Sequence, residues 1–291
     1  MKQVLTAVAL LLLVANGQAQ DKKSNLKKSE RMETKTELSN KEKAAALISS
    51  LETGDQSTIA YINPTNYEQH NLAVADGLEG FGAVLQHAPK GGFKANVVRS
   101  FQDGAYAITH TVYDFFGPKI GFDIFKFEKG KIIAHWDNFS DVAAKNQSGR
   151  TQTDGVVKIT DLDKTEQNKA LVKDFITTVL IKGQFDKMHN YFDGDHYIQH
   201  NALIGDGVSG LGKALEEMAK QGITMVFKEN HIVLGEGNFV LAVSEGTFAG
   251  KPTSFYDLFR IENGKIAEHW DTVETIMPEA DRKNNNGKFN F

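Results

Sequence analysis

Apolar positions along this chain follow two rhythms, and each rhythm is used twice. Ala44, Leu47, Ile48 and Leu51 fall on one stripe of a helix. Ser39 and Glu42 are spaced as a capping box that opens it, and Gly54 closes it. The same period returns in Leu171, Val172, Phe175, Ile176 and Val179, with Asp163 and Glu166 in the capping positions and Gly183 as the stop. A shorter helix follows each time, carried by Phe81, Val84 and Leu85 and then by Leu211, Leu215 and Met218. The period then shortens to two and predicts strands near Asn96–Phe101, Ala105–Tyr113, Ile120–Phe127 and Lys131–Phe139. Their counterparts lie near Thr224–Val233, Phe239–Phe248, Thr253–Ile261 and Lys265–Glu274. Asn263-Gly264 is a strong hairpin signal because both turn residues need positive φ, and Lys129-Gly130 holds the matching place. Helices followed by an antiparallel meander predict an α+β fold with helices on one face of a curved sheet.

The repetition extends to residue identity. Tyr67-Glu68-Gln69-His70-Asn71 returns as Tyr197-Ile198-Gln199-His200-Asn201, and Asp76-Gly77 returns as Asp206-Gly207. Phe122 to Asp137 aligns without gaps to Tyr256 to Asp271, with nine of sixteen positions identical. Two blocks in the same order make two domains rather than a solenoid, and 291 residues accommodate both. The expected organisation is a signal peptide at 1–19, a flexible segment at 20–39 and a first domain at 40–143. A linker at 144–162, a second domain at 163–277 and a flexible tail at 278–291 complete it. Lys2, the apolar run Val4 to Ala15 and the small-x-small triplet Gly17-Gln18-Ala19 carry the signal-peptide reading. That run is too short to span a bilayer, so export to the periplasm or the medium is expected, with no membrane span.

Composition narrows the chemistry. Hydrophobic residues make up 41% and charged residues 24%, which suits a packed core. A net charge of -4 argues against a nucleic-acid partner. The absence of cysteine removes disulfides, thiolate metal sites and a thiol nucleophile together.

Tyr-x-Gln-His-Asn, an Asp-Gly before a short helix, and the hairpin block ending in His-Trp-Asp resemble SnoaL-like proteins of the NTF2-like superfamily. The resemblance covers about 110 residues of each copy. It implies two NTF2-like cone-shaped α+β barrels in tandem, each a bent sheet wrapped by helices around an apolar pocket. That superfamily includes cofactor-independent polyketide cyclases, isomerases, dehydratases and non-catalytic binding domains, so the fold leaves function open.

Residues two apart on a strand share a face. His135 and Asp137 therefore point one way with Trp136 opposite, and His269 and Asp271 do the same around Trp270. If that face lines the pocket, each copy holds an acid–base pair, and Asp123 and Asp257 on the preceding strand could add a second carboxylate. The resemblance also directs His70, His200, His110 and, in the less equivalent second copy, Glu245 toward the pocket. In the family's cyclases an aspartate is the acid–base residue, which the resemblance carries to Asp137 and Asp271. The structural alternative stays open: a His-x-Asp pair also serves to satisfy buried polar atoms. Neither copy shows His-x-x-x-His or comparable ligand spacing, so neither a metal nor a cofactor is expected.

Two functions follow. One is a lyase or isomerase performing aldol-type, isomerising or dehydrating proton transfer on a small apolar carbonyl compound. The other is a module that binds a small apolar molecule without transforming it. In either case the two domains are expected to pair internally, as a pseudo-dimer replacing a homodimer.

Overall fold

The computed structural model describes residues 37–90 and 92–291. The signal-peptide reading and most of the 20–39 segment lie outside the described residues. Ser39–Phe291 forms one compact body built around two five-stranded sheets.

In the first half, helix α1 (Asn40–Thr53) opens on the expected capping box, and Gly54 closes it at φ 72°. Strand β1 (Glu68–Gln69) and helix α2 (Gly77–Gln86) follow. The meander consists of β2 (Lys94–Asp103), β3 (Tyr106–Asp114), β4 (Pro118–Glu128) and β5 (Lys131–Asp141). The second half repeats the plan with helix α3 (Thr165–Phe175), strand β6 (Ile198–Gln199) and helix α4 (Val208–Lys220). Its meander is β7 (Met225–Glu236), β8 (Phe239–Phe248), β9 (Lys251–Glu262) and β10 (Lys265–Thr275). The sheet orders are β1-β5-β4-β3-β2 and β6-β10-β9-β8-β7, with β1 and β6 pairing parallel to their neighbours. Lys129-Gly130 and Asn263-Gly264 turn with both residues at positive φ, as their hairpins require.

Helix α3 departs from expectation. Asp163 and Glu166 do not cap it: a 3-10 turn at Leu162–Lys164 leads in, without a side-chain cap bond. The helix then widens into a π-helical turn at Ile176–Ile181 before Gly183.

Each sheet buries both faces. The inner faces pack against the helices, with Leu47, Ile48 and Phe125 in the first half and Phe175, Val179 and Phe259 in the second. The outer faces meet each other. Phe101, Ile108 and Trp136 of one sheet share a single core with Phe239, Leu241 and Trp270 of the other. Polar contacts across this seam are reciprocal. Asp103 accepts from the Gly235 amide at 3.0 Å and pairs with Lys169 at 2.7 Å. Glu236, at the equivalent position, accepts from the Gln102 amide at 2.7 Å and pairs with Lys41 at 2.6 Å.

The linker at 144–162 and the tail at 278–291 are both tied down by hydrogen bonds. Each crosses to the opposite half and docks there. Asn146 donates its side-chain amide to the carbonyls of Asn201 and Ile204, at 3.3 and 2.8 Å. Asn284 donates to the equivalent carbonyls of Asn71 and Val74, at 2.7 and 2.8 Å. The two arms share a pattern, Lys145-Asn-Gln-Ser-Gly-Arg150 and Lys283-Asn-Asn-Asn-Gly-Lys288, with Gly149 and Gly287 both at positive φ. Polar composition suggested flexibility, yet these asparagines bring donors to the Val74 and Ile204 carbonyls and a second donor to those of Asn71 and Asn201, which also accept from the Val74 and Ile204 amides. Among the described residues, no helix is long and apolar enough to cross a membrane.

Candidate functional site

Register places the candidate acids. Asp123 on β4 stands directly opposite Asp137 on β5, and His135 shares that inner face two residues earlier. The His135 Nε2 atom lies 3.0 Å from Asp123 Oδ1. The other oxygen of Asp123 accepts from the Tyr113 hydroxyl at 2.5 Å and from Thr109 Oγ1 at 3.2 Å. Asp137 accepts from the Asn71 side-chain amide at 2.7 Å through Oδ2. Two buried atoms of the group, His135 Nδ1 and Asp137 Oδ1, have no hydrogen-bond partner among the described residues. An unpaired polar atom costs about 1–3 kcal/mol in an interior, so these two atoms are the ones in the group left to bond with a molecule entering beside them.

That cavity has a volume of about 300 Å³ and lies between the inner face of the first sheet and helices α1 and α2. Asp123, His135 and Asp137 line it together with aromatic walls, including Phe81, Phe93 and Phe125. Phe125 stacks on the His135 ring with centroids 4.6 Å apart, which fixes the imidazole plane. Phe116, at φ 54° and 68% exposed, sits on its rim.

Burial sets the electrostatics. Desolvation pushes the Asp137 carboxyl up to about 6; Lys288 and His135 oppose this, while Glu274 and Asp123 add to it. Burial, reinforced by the Asp123 charge, holds the Tyr113 hydroxyl well above its ordinary value, so it stays protonated and donates. Asp123 is thus an orienting group with both oxygens committed, whereas Asp137 keeps one oxygen free.

The second half builds the same triad and closes it. Asp257 Oδ1 lies 3.0 Å from His269 Nε2, and Asn201 donates to Asp271 at 2.6 Å. Here, however, His269 Nδ1 also meets Gln199 Oε1 at 2.9 Å, so both ring nitrogens are occupied. Burial works against charging this imidazole, but the Asp257 hydrogen bond and the charges of Asp271 and Asp257 outweigh it and raise its pKa. Burial also raises Asp271, with His269 opposing. Pairing register puts Gly246 where the first half has Tyr113, and Ala242 where it has Thr109. One Asp257 oxygen is left without a partner as a result. Phe175 and Phe192 fill the interior near Phe259 and Tyr197.

Four expected pocket residues lie elsewhere. His70 stacks on Trp136 at 4.3 Å, and its Nδ1 meets the Gly287 carbonyl of the arm at 2.7 Å. His200 stacks on Trp270 and lies 2.8 Å from Glu268, on the corresponding outer face. His110, fully buried between the sheets, stacks on Phe122 and meets Arg99 at 3.2 Å. Glu245 pairs with His231 at 3.3 Å near the sheet edge. The reason is shared: one step along a strand reverses the face, so His70 beside Gln69 faces outward. Sequence reading passed over Tyr113, Asn71 and Lys288. Asn71 was visible in the repeated Tyr-x-Gln-His-Asn block, and Lys288 in the repeated arm pattern.

Asp123, His135 and Asp137 bring one ligand atom each within 4.8 Å of one another, as do Asp257, His269 and Asp271. In the first half Asp123 is engaged with His135 and Tyr113 and Asp137 with Asn71, and Lys288 Nζ already stands 3.8 Å from Asp137 Oδ1. A cation at that distance competes for the same oxygen, and the set is a hydrogen-bonded network rather than an open ligand shell.

No family model matches this chain, and no curated protein matches it. Solved structures do match in part. TsrD from Streptomyces laurentii is 19% identical over 36% of this chain and 92% of its own, at a TM-score of 0.31. An NTF2-like protein of unknown function from Cytophaga hutchinsonii is 16% identical over 37% of this chain and 95% of its own, at 0.32. An LEH-like epoxide hydrolase from M. tuberculosis is 20% identical over 34% of this chain and 81% of its own, at 0.30.

Proposed function

We propose that the cavity of the first half is a cofactor-independent acid–base site for a small, mostly apolar carbonyl compound, of the isomerase or lyase type. The observation that carries this reading is the pair of unpartnered atoms, Asp137 Oδ1 and His135 Nδ1, beside an otherwise apolar cavity. Asp137, with its carboxyl raised to about 6, is a carboxylate basic enough near neutrality to remove a proton from the carbon next to the carbonyl. The C–H electron pair moves into the carbonyl and places negative charge on its oxygen. His135, its Nε2 held by Asp123, turns Nδ1 toward that oxygen, where a proton on this nitrogen would meet the developing charge. Protonated Asp137 then returns its proton to another carbon, or the enolate attacks a second carbonyl of the same molecule and the new alkoxide takes that proton. In the second half both nitrogens of His269 are already engaged, which suits a structural role.

Turnover of a panel of enolisable ketones tests this. Asp137→Asn should remove the activity, and Asp271→Asn should leave it near the parental rate. An Asp137→Asn protein that still turns over at the parental rate sinks the reading. Capture without chemistry is the second reading, favoured by the scarcity of polar atoms in the cavity wall. It predicts thermal stabilisation by apolar ligands with no product formed.

Two further parts of this reading concern the whole chain. Export rests on Lys2, the apolar run that follows and the Gly17-Gln18-Ala19 triplet; it predicts a mature N-terminus at Gln20, read by N-terminal sequencing. Internal pairing in place of a homodimer rests on the reciprocal Asp103 and Glu236 contacts.

A further inference from the structure

Asp137 receives a partner from outside its own half. Lys288 lies in the arm that follows the second meander, and its side chain is buried against the first sheet. Its Nζ donates to the Asp137 carbonyl at 2.8 Å and to Glu274 Oε2 at 2.6 Å, and it stands 3.8 Å from Asp137 Oδ1. Oδ1 is the oxygen that has no hydrogen-bond partner. Pattern alignment of the arms pairs Lys288 with Arg150, but Arg150 binds Asp206 at 2.9 Å, and Asp271 has no cation from the arm in that position. The arms anchor alike through Asn146 and Asn284 and diverge after the glycine, so only the first half has an arm cation at its acid.

We propose that Lys288 is a positioning residue for Asp137, contributed by the second half to the site of the first, where it anchors the strand at Asp137 and sets the charge of the carboxyl. The inference rests on the acid–base reading of the cavity. Other charged and titratable groups also face Asp137: His135 on its own strand, Asp123 on β4, Glu274 on β10, and the hydroxyls of Tyr67, Tyr113 and Tyr256. Lys288 and Glu274 act in opposite directions on it, Lys288 favouring the carboxylate and Glu274 opposing it. The two sit against each other, so removing either one moves the balance the opposite way.

The test is a titration of the Asp137 carboxyl carbon by NMR in the full chain, without substrate, with the signal assigned from Asp137→Asn. Lys288→Gln keeps a donor for the Asp137 carbonyl and removes the charge; the midpoint should rise by about one pH unit or more. Lys288→Arg should bring it back toward the parental value, and Glu274→Gln should lower it. An unchanged midpoint in Lys288→Gln, or a Lys288→Arg protein that titrates like Lys288→Gln, overturns the proposal. If Lys288→Gln does not fold, Glu274→Gln decides alone, and an unmoved midpoint there has the same force. Because no turnover is measured, failure here is distinct from failure of the acid–base reading, which Asp137→Asn and the ketone panel decide.

Discussion

Asp137 carries a destabilising ionisation as part of its environment. An ordinary aspartate titrates near 3.8 and this one near 6, an interval worth about 3 kcal/mol at about 1.4 kcal/mol per pH unit. Between those values the folded chain binds more protons than the unfolded one, so stability falls as pH rises through the window and stays lower above it. Asp137→Asn should therefore melt higher than the parent above roughly pH 6 and lose that advantage below roughly pH 4. Thermal unfolding at both ends of the range checks this, and a pH-independent difference would show that Asp137 is not ionising in a buried setting. His269 has the opposite sign. Its pKa is raised from 6.5, so its contribution is full below 6.5 and fades as pH climbs through the folded value. His269→Gln should then cost more stability in acid than in alkali, read from denaturant midpoints on both sides of neutrality. The core of this site was legible in sequence, because alternation puts His135 and Asp137 on one face and the hairpin brings Asp123 opposite. Tyr113 was not. It pairs in register with Lys119, and its hydroxyl reaches Asp123 only by lying diagonally along the sheet.

At the scale of elements, the strands and the hairpin turns follow the predicted pattern closely, since period two and positive-φ turn residues are local signals. The arms escaped notice because their contacts are distant in sequence and their side chains polar. The first arm also makes a close approach that only glycine permits. Gly155 has φ 92°, and a β-carbon there would stand 2.1 Å from Glu268 Oε1 and 2.9 Å from His200 Nε2. Those two groups form a buried cluster with Arg260, whose Nε donates to Glu268 at 2.6 Å. Gly155→Ala should therefore destabilise the second half by about 2 kcal/mol or more, from strain and from disruption of that cluster. A denaturant midpoint equal to the parent's would contradict the described course of the arm. Arg99 adds to the same anchorage, donating to the Thr153, Asp154 and Val156 carbonyls while lying 4.1 Å above the Trp270 ring.

At the scale of the molecule, the outer faces of the two sheets cover each other, with Trp136 and Trp270 both buried in one shared core. The proposed internal pairing in place of a homodimer predicts that light scattering gives the mass of a single chain. A homodimer would count against internal pairing. The duplication was plain in the sequence; how its halves meet was not, because the outward apolar residues of a strand do not say which surface covers them.

The crossed arms also govern how such a protein could be divided. Severing the polypeptide between the meanders would leave the leading piece holding the clasp of its neighbour while lacking its own. Neither fragment would be a complete ancestor of the pair, and each could regain its missing closure only by finding the other. The duplicated plan is in that sense locked together: one half without the other leaves the Val74 carbonyl, or that of Ile204, without the side-chain amide that meets it.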